Sequence, residues 1–371
     1  LAPGHVFNRH GQASDDTWLM LRDDGEAWAG VGQQGMYYLD PGHPDAVRHT
    51  VDVYLQLLRN YNVDGIHLDQ VRYYEGQPLR WGYNPTSIAR FNQLYGRDPD
   101  SRPLPSDPTW VAWRRDQVTA LVRRVFLEAR ALRPGIPVTA AVVTWGQGPR
   151  DATDWERQPP YASVLQDWRS WLEEGIVDYL VPMNYYRESG DQSAWFDSWT
   201  RWQASHPGRR GVAFGLGAYL NAAQGSLAQL ERARALGGLG VALYSYAVPA
   251  RDLERASDEA RDAFAAQLRS VFTRPAPVPE LAWLQPPAGG GLLVDVAGRP
   301  DLSVFVYDGP SQRRAWRTDS TGLAGGVDLP AGRYTLVVSG VGIDPTPVEL
   351  EVQAGQTTSV RFAPGRSSEP S

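Results

Sequence analysis

The chain has 371 residues, a formal net charge of −6 and a pI near 5.6. It is 42% hydrophobic and 21% charged, which excludes wholesale disorder; no run of about 18 apolar residues is available to span a membrane, and the acidic balance argues against nucleic acid as the main partner. Cys is 0 and every basic residue is Arg, which excludes disulfides, thiolate catalysis, Cys-ligated zinc, Schiff-base and P-loop chemistry.

The length fits about two domains. The sequence begins at Leu1 with no basic n-region or apolar h-region, so it reads as a processed chain or a fragment. Its first 40 residues read as a long loop holding a hairpin, 17–21 with 27–29 around Asp24-Gly25. Residues 45–60 form an amphipathic helix with Val47, Val51, Tyr54, Leu55 and Leu58 on one face. Five apolar strands follow, at 63–71, 137–145, 176–185, 211–219 and 239–247, as expected of strands covered on both faces. A helix after Pro108 carries Val118, Leu121, Val122, Val125 and Phe126 and stops before Pro134. Ser163 reads as an N-cap three residues before Gln166. Ser226 and Gln229 read as the capping box of a helix ended by Gly237 and Gly238. The last helix of this part spans 252–272.

Alternating strands and helices predict an α/β fold with a parallel sheet and right-handed crossovers. A (β/α)8 barrel uses about 250 residues, so the expectation is a partial TIM-type barrel over 1–273. It holds the last five βα units, and the first three, about 90 residues, would lie upstream of Leu1. The alternative is a complete open sheet of five strands. Residues 274–290 form a Pro-rich linker with Pro275, Pro277, Pro279, Pro286 and Pro287. Residues 291–364 read as a small β-sandwich with strands at 292–296, 303–307, 333–338, 348–352 and 358–362. The polar tail, 365–371, is expected to be disordered.

Chemistry in parallel barrels sits at the C-terminal ends of the strands. The first strand ends in His67-Leu68-Asp69-Gln70-Val71-Arg72-Tyr73, and alternation puts His67, Asp69 and Val71 on one face. Asp69 is the first catalytic candidate; otherwise it is a structural carboxylate paired with Arg72. Asp64 and Asp178 open their strands and read as caps or turn residues. Trp145 ends the second strand, as a sugar platform or a core residue. Asn184 and Tyr185 end the third, and Glu188 is the second carboxylate, unless it is a loop charge paired with Arg187. Asp167 and Asp191 are its rivals. Tyr219, Tyr244 and Tyr246 follow on the last two strands. Fourteen Trp fit either sugar stacking or an aromatic core. Two carboxylates flanking one bond are what glycoside hydrolysis requires, with a proton donor whose pKa is raised by apolar surroundings.

Other chemistries lack their patterns. The six His make no HExxH spacing, so no metal is expected, and Ser245 has no G-x-S-x-G elbow. Gly215-Leu216-Gly217 and Gly237-Gly238-Leu239-Gly240 are in the wrong context for a nucleotide loop, and no cofactor is expected.

Several segments in order carry a family likeness: Tyr61-Asn62-Val63-Asp64-Gly65-Ile66-His67-Leu68-Asp69 with Arg72-Tyr73, Trp81-Gly82-Tyr83-Asn84-Pro85-Thr86-Ser87, and Trp113-Arg114-Arg115-Asp116-Gln117-Val118. Gln166-Asp167-Trp168, Glu173-Glu174-Gly175-Ile176-Val177-Asp178, Pro182-Met183-Asn184-Tyr185 and Gly240-Val241-Ala242-Leu243-Tyr244-Ser245-Tyr246 continue it, and Tyr38-Leu39-Asp40-Pro41-Gly42-His43-Pro44 precedes them. Over about residues 1–270 the chain resembles the glycoside-hydrolase-like family 10 pattern. Thr318-Asp319-Ser320-Thr321-Gly322 with Leu329-Pro330-Ala331-Gly332-Arg333-Tyr334 resembles carboxypeptidase-regulatory-like modules, which are accessory domains of exported enzymes. The resemblance implies a TIM-like barrel that starts here just after its third strand, export to the bacterial envelope, and action on peptidoglycan glycan strands. By analogy with barrel glycosidases, Asp69 would be nucleophile or base and Glu188 the acid. His67, Arg72, Tyr73, Trp145, Asn184, Tyr185, Tyr219 and Tyr246 would bind the glycan. The rival is a carbohydrate-binding or envelope-scaffold protein on a glycosidase fold, in which both carboxylates are structural.

Overall fold

The computed structural model of the chain describes residues 18–27, 37–255, 257–284, 289–343 and 347–362. Part of the predicted hairpin and the tail at 365–371 lie outside the described residues. The described part of the hairpin has its turn, with the Gly25 N–H donating to Arg22 O at 2.9 Å, but Leu19 bridges Leu39 and Arg22 bridges Trp81.

All five expected parallel strands are present and shorter than their apolar runs: β1 (Ile66–Leu68), β2 (Val138–Val142), β3 (Tyr179–Asn184), β4 (Gly211–Gly217) and β5 (Gly240–Tyr244). They pair in chain order as one parallel sheet. Around them lie α1 (Pro44–Asn60), α2 (Pro85–Leu94), α3 (Pro108–Leu132), α4 (Pro159–Ala162), α5 (Trp168–Glu174), α6 (Asp191–Ser205), α7 (Ala223–Ala235) and α8 (Asp258–Leu268). His43, Asn84 and Asp107 cap α1, α2 and α3, each ahead of a Pro at the first helical position, where the missing N–H costs nothing.

Two cap expectations differ. Asp167, not Ser163, caps α5, and Ser163 closes α4. Helix α7 starts three residues before Ser226, and its Ala223 N–H donates to Asp252 Oδ1 at 3.2 Å. A cap supplied from 29 positions away leaves no local spacing to read.

The two faces of the parallel sheet differ sharply. Ile66, Leu68, Val138, Ala140, Val142, Leu180, Phe214 and Leu216 point to the helices and are buried. On the other face His67 and Asp69 are exposed, and Tyr179, Val181, Met183, Ala213 and Ala242 are only half-covered. The indoles go largely to the helical side. Trp110 stacks on Trp113 at 5.1 Å, and Trp155 on Trp202 at 5.4 Å, with Trp168 and Trp199 beside them. All six are buried, as are Trp81 and Trp171, so most of the 14 Trp are core packing rather than sugar platform.

The C-terminal unit is two sheets sharing one apolar core. The strands are β6 (Gly290–Asp295), β7 (Ser303–Asp308), β8 (Ser311–Arg317), β9 (Leu323–Leu329), β10 (Gly332–Ser339), β11 (Val348–Val352) and β12 (Thr357–Arg361). One sheet is ordered β11-β10-β7-β8 and the other β12-β6-β9. The sequence pattern misses β8 and β9 for physical reasons. Strand β8 is an edge whose Arg side chains face water, and β9 carries Gly325 and Gly326. A Cβ at Gly325 would meet Leu292 O at 2.1 Å, and one at Gly326 the Trp316 ring at 2.6 Å. This unit sits on α3, where Arg124 donates to Thr321, and is held by α2 and the start of β4 as well: Arg90 makes a two-pronged pair with Asp301 at 2.9 and 3.1 Å, and Arg210 pairs with Asp328 at 3.0 Å.

The expected linker also docks. Residues Ala282–Leu284 form a 3-10 turn whose Trp283 Nε1 donates to Asp178 Oδ1 at 2.9 Å. Asp178 is fully buried and also accepts from Arg130 at 2.6 Å and from the Val138 N–H at 2.7 Å. Breaking a buried ion pair leaves an uncompensated charge. Asp178→Ala should therefore lose about 3–5 kcal/mol in urea unfolding. Asp64→Ala, at the exposed start of β1, should stay within about 0.5 kcal/mol. Equal losses would contradict this assignment.

Candidate functional site at the strand ends

The register sets the site. Asp69 directly follows β1, on the same face as His67; Met183 faces Gly215, and Gly217 faces Tyr244. Tyr185, next after β3, lies over Gly217, where a Cβ would meet its Cα at 2.9 Å. The missing side chain lets the Tyr185 ring stack on Tyr244, centroids 5.2 Å apart and planes 15° apart. Tyr219 packs edge-on against both, at 6.1 and 5.9 Å. Three phenols from three successive strand ends thus form one cluster. Burial raises the pKa of Tyr185, and the Tyr244, Asp69 and Tyr219 groups raise it further. Asp69 therefore lies within electrostatic reach of the cluster.

Asp69 is exposed and makes no hydrogen bond or ion pair with any described residue. It is not paired with Arg72, whose Nη2 approaches Glu75 at 3.4 Å instead. His67 Nδ1 lies 2.8 Å from Thr139 Oγ1, which gives its own proton to Ile66 O at 3.2 Å. The Thr hydroxyl has one proton, so Nδ1 donates and Nε2 is left as an acceptor. Although the His67 side chain reaches solvent, the protein packed around its ring lowers its pKa by desolvation, and Asp69 offsets this only in part. Trp145, 36% exposed, stands beside the Arg72 guanidinium, 5.9 Å from its ring centroid. Tyr246 is exposed further out under Arg261, 4.6 Å from its ring.

Other expected site residues lie elsewhere. Val71 and Tyr73 are buried, because Gln70 adopts a left-handed φ of 56° and ends the strand's alternation. The Tyr73 ring packs against Gly82 and Arg114. Asn184 faces the helices, where it exchanges two 3.0 Å hydrogen bonds with Gln203 of α6. Glu188 is gripped by Arg232 of α7 at 2.7 and 2.8 Å, while Arg232 also holds Asp197 of α6 at 2.9 Å. Its N–H donates to Asn221 at 2.7 Å. The Arg232 hydrogen bonds lower the Glu188 pKa, the opposite of what a proton donor needs. The expected pairing with Arg187 is not the one formed.

Sequence reading passed over two participants. Glu75 shares the field at Tyr38 with Arg72 and Asp69, and the Arg72-x-x-Glu75 spacing was the available signal. Tyr244 has no sequence signal that sets it apart from Tyr246, because its place in the cluster depends on the stacking over Gly217. A cavity of about 690 Å³ lies away from the strand ends, between α3 and β8, with Asp116, Asp167, Trp316 and Arg317 in its wall. It contains none of the strand-end residues.

Glu188 and Arg232 should couple in a double-mutant cycle of Glu188→Gln and Arg232→Met, by about 1 kcal/mol in thermal or urea unfolding at neutral pH. The folded carboxyl titrates below the unfolded one. The contribution is therefore complete above the ordinary Glu range and fades as pH falls through the lowered value. Zero coupling would free Glu188 from its clamp.

A family model described as "Glycosyl hydrolase-like 10" matches residues 11–223, from before β1 to the start of α7. The match stops short of β5, so the likeness noted at Gly240 to Tyr246 lies beyond it. The chain is 26% identical over 189 residues to "Glycosyl hydrolase DigH" of Escherichia coli K12, covering 49% of this chain and 40% of that protein. It is 26% identical over 195 residues to "Glycosyl hydrolase YngK" of Bacillus subtilis 168, covering 51% and 36%. The chain thus spans well under half the length of these curated relatives. Among solved structures, the PgaB (BpsB) glycoside hydrolase domain from Bordetella bronchiseptica superposes with a TM-score of 0.44 at 17% identity, covering 63% of this chain and 65% of that one. Bee venom hyaluronidase gives 0.37 at 14% identity, covering 67% and 82%. Both scores are below the level at which a superposition identifies equivalent residues. The family model spans more than half of the 371 residues, and the chain belongs to the glycosyl hydrolase-like 10 family.

Proposed function

We propose that the chain is part of a glycoside hydrolase of the bacterial envelope, acting on envelope glycan such as peptidoglycan strands, with Asp69 as nucleophile or base. The observation that carries this reading is Asp69 itself: an exposed carboxylate at a strand end, without an ion pair to any described residue, within electrostatic reach of a three-Tyr cluster. A carboxylate serving only structure would be held by a cation, as Asp178 is by Arg130, or by a backbone N–H, as Asp167 is at the start of α5. Aromatic rings with phenol hydroxyls suit sugars, since they offer apolar faces and hydrogen bonds together. Family membership and the names of the two relatives support hydrolysis of glycosidic bonds. The envelope location and the peptidoglycan strand rest on the sequence resemblance.

In this reading the five parallel strands are the later part of a TIM-type barrel. The half-covered face with Val181, Met183 and Ala242 supports it, because a barrel fills that side with packed side chains. The C-terminal unit is a small β-sandwich of the carboxypeptidase-regulatory-like kind. Its pairing of Arg90 with Asp301 supports a fixed, docked accessory domain. Glu188 is a clamp between α6 and α7 and takes no part in proton transfer. His67 Nε2, Arg72, Trp145, Tyr185 and Tyr219 bind the glycan, while Tyr246 stands at the rim.

The test uses the full gene product with peptide-free glycan strands, and mass spectrometry of released saccharides. Wild type should release saccharides, Asp69→Asn should lose this by about a thousandfold or more with its fold intact, and Glu188→Gln should stay within about tenfold of wild type. Binding without release by wild type would favour the carbohydrate-binding alternative.

A further inference from the structure

The free edge of the C-terminal unit faces a cavity. Strand β8 ends its sheet, paired by β7 on one side and by no described strand on the other. The Thr318 N–H donates to Leu302 O at 2.8 Å, and its carbonyl accepts from the Asp301 N–H at 3.1 Å, so Thr318 turns its backbone toward β7. Antiparallel pairing alternates, and the register from Ser303 to Phe305 is regular, so Ala315 and Arg317 turn their backbone groups outward. Both residues are exposed. Residues 314–319 line the cavity of about 690 Å³ without a gap. A cavity beside one face of a strand touches every second residue, so this one meets β8 edge-on. Its volume lies within the range of about 300–1,000 Å³ typical of ligand sites.

The opposite wall holds Asp116 of α3 and Tyr95, just after α2. Asp116 reaches solvent and makes no hydrogen bond or ion pair with any described residue, while the protein around it raises its pKa by desolvation. Arg317 has no ion pair with a described residue either; its Nη1 donates to Asp301 O at 2.9 Å. The Tyr95 phenol, 47% exposed, feels both groups, since Asp116 raises its pKa and Arg317 lowers it. A carboxylate and a guanidinium thus stand on facing walls, within electrostatic reach of one hydroxyl and unpaired with each other. The cavity offers a sugar little stacking surface, because the Trp316 ring rests against Gly326 and Trp113 is buried.

We propose that β8 takes an extended peptide segment of a partner protein as a further strand of the β11-β10-β7-β8 sheet, with a basic side chain of the peptide against Asp116 and an acidic one against Arg317. The outward N–H and C=O groups of Ala315 and Arg317 supply the main-chain hydrogen bonds, and the two charges choose the side chains. Arg residues on an edge disfavour indiscriminate pairing, so the segment must bring a matching acid. This site lies apart from the strand ends and stands whether or not they bind glycan.

The probe is a displayed library of random linear peptides, selected on the full chain, with the enriched peptides synthesised for calorimetry. Selection should enrich peptides that carry both an acidic and a basic residue. Making both residues neutral, or N-methylating alternate peptide amides, should weaken binding by about tenfold or more. Ala315→Pro removes one outward N–H at an edge position, where a sheet tolerates proline, and should weaken binding as much with circular dichroism unchanged. Asp116→Asn should erase the preference for the basic residue. If the Pro variant does not fold, Asp116→Asn and the N-methylated peptides carry the test. No enrichment, undiminished binding by the N-methylated peptides, or undiminished binding to a folded Ala315→Pro chain overturns the proposal. So does slowed hydrogen exchange at 314–319 with glycan strands and not with the peptides, which would make the cavity a glycan site.

Discussion

The buried Asp178 carboxylate fixes the frame on which the strand ends depend. It ties β2 through the Val138 N–H, α3 through Arg130 and the segment after α8 through Trp283. Its own backbone joins in: the Asp178 N–H donates to Val138 O at 2.7 Å, and its carbonyl accepts from the Gly211 N–H at 3.3 Å. One residue therefore sets where β2, β3 and β4 begin relative to each other. In a parallel sheet a slip of one residue sends every side chain to the opposite face. Trp145, Tyr185 and Tyr219 leave the same end of the sheet because their strands start in that register.

The same register separates the two faces of the sheet. On β1 to β4 the apolar side chains of the helical face are buried, and the polar member of that face, Asn184, is satisfied by Gln203. The other face keeps its charges and phenols accessible. Glu188 shows the difference at short range: three residues after Tyr185 the chain has turned toward α6 and α7, and its carboxylate serves Arg232. A carboxylate held by two hydrogen bonds stabilises packing and is a poor proton donor.

Much of this was legible in the residues. The five apolar runs located five strands, and the order of strands and helices dictated a parallel sheet. The same order of elements put Asp69, Trp145, Tyr185 and Tyr219 just past the C-terminal ends of their strands, where the structure has them. What stayed hidden depended on contacts between distant positions. Tyr73 was misplaced because Gln70 turns left-handed, which period-2 counting does not foresee. Asn184 and Glu188 were misplaced because their partners lie 19 and 44 residues away. Strands β8 and β9 were missed because Arg and Gly residues at a sheet edge look like loop. The Trp content was ambiguous in composition and became core only when α3, α5 and α6 brought the indoles together.

The central claim is that glycan meets this chain at the ends of the parallel strands. Hydrogen exchange of the full chain, with and without glycan strands, tests it directly. The account predicts slowed exchange at 69–75, 144–146, 185–187, 219–221 and 244–246, where the chain leaves successive strands. Protection confined to 113–123 and 314–319, around the cavity between α3 and β8, would contradict it and move the site to the other side of the molecule.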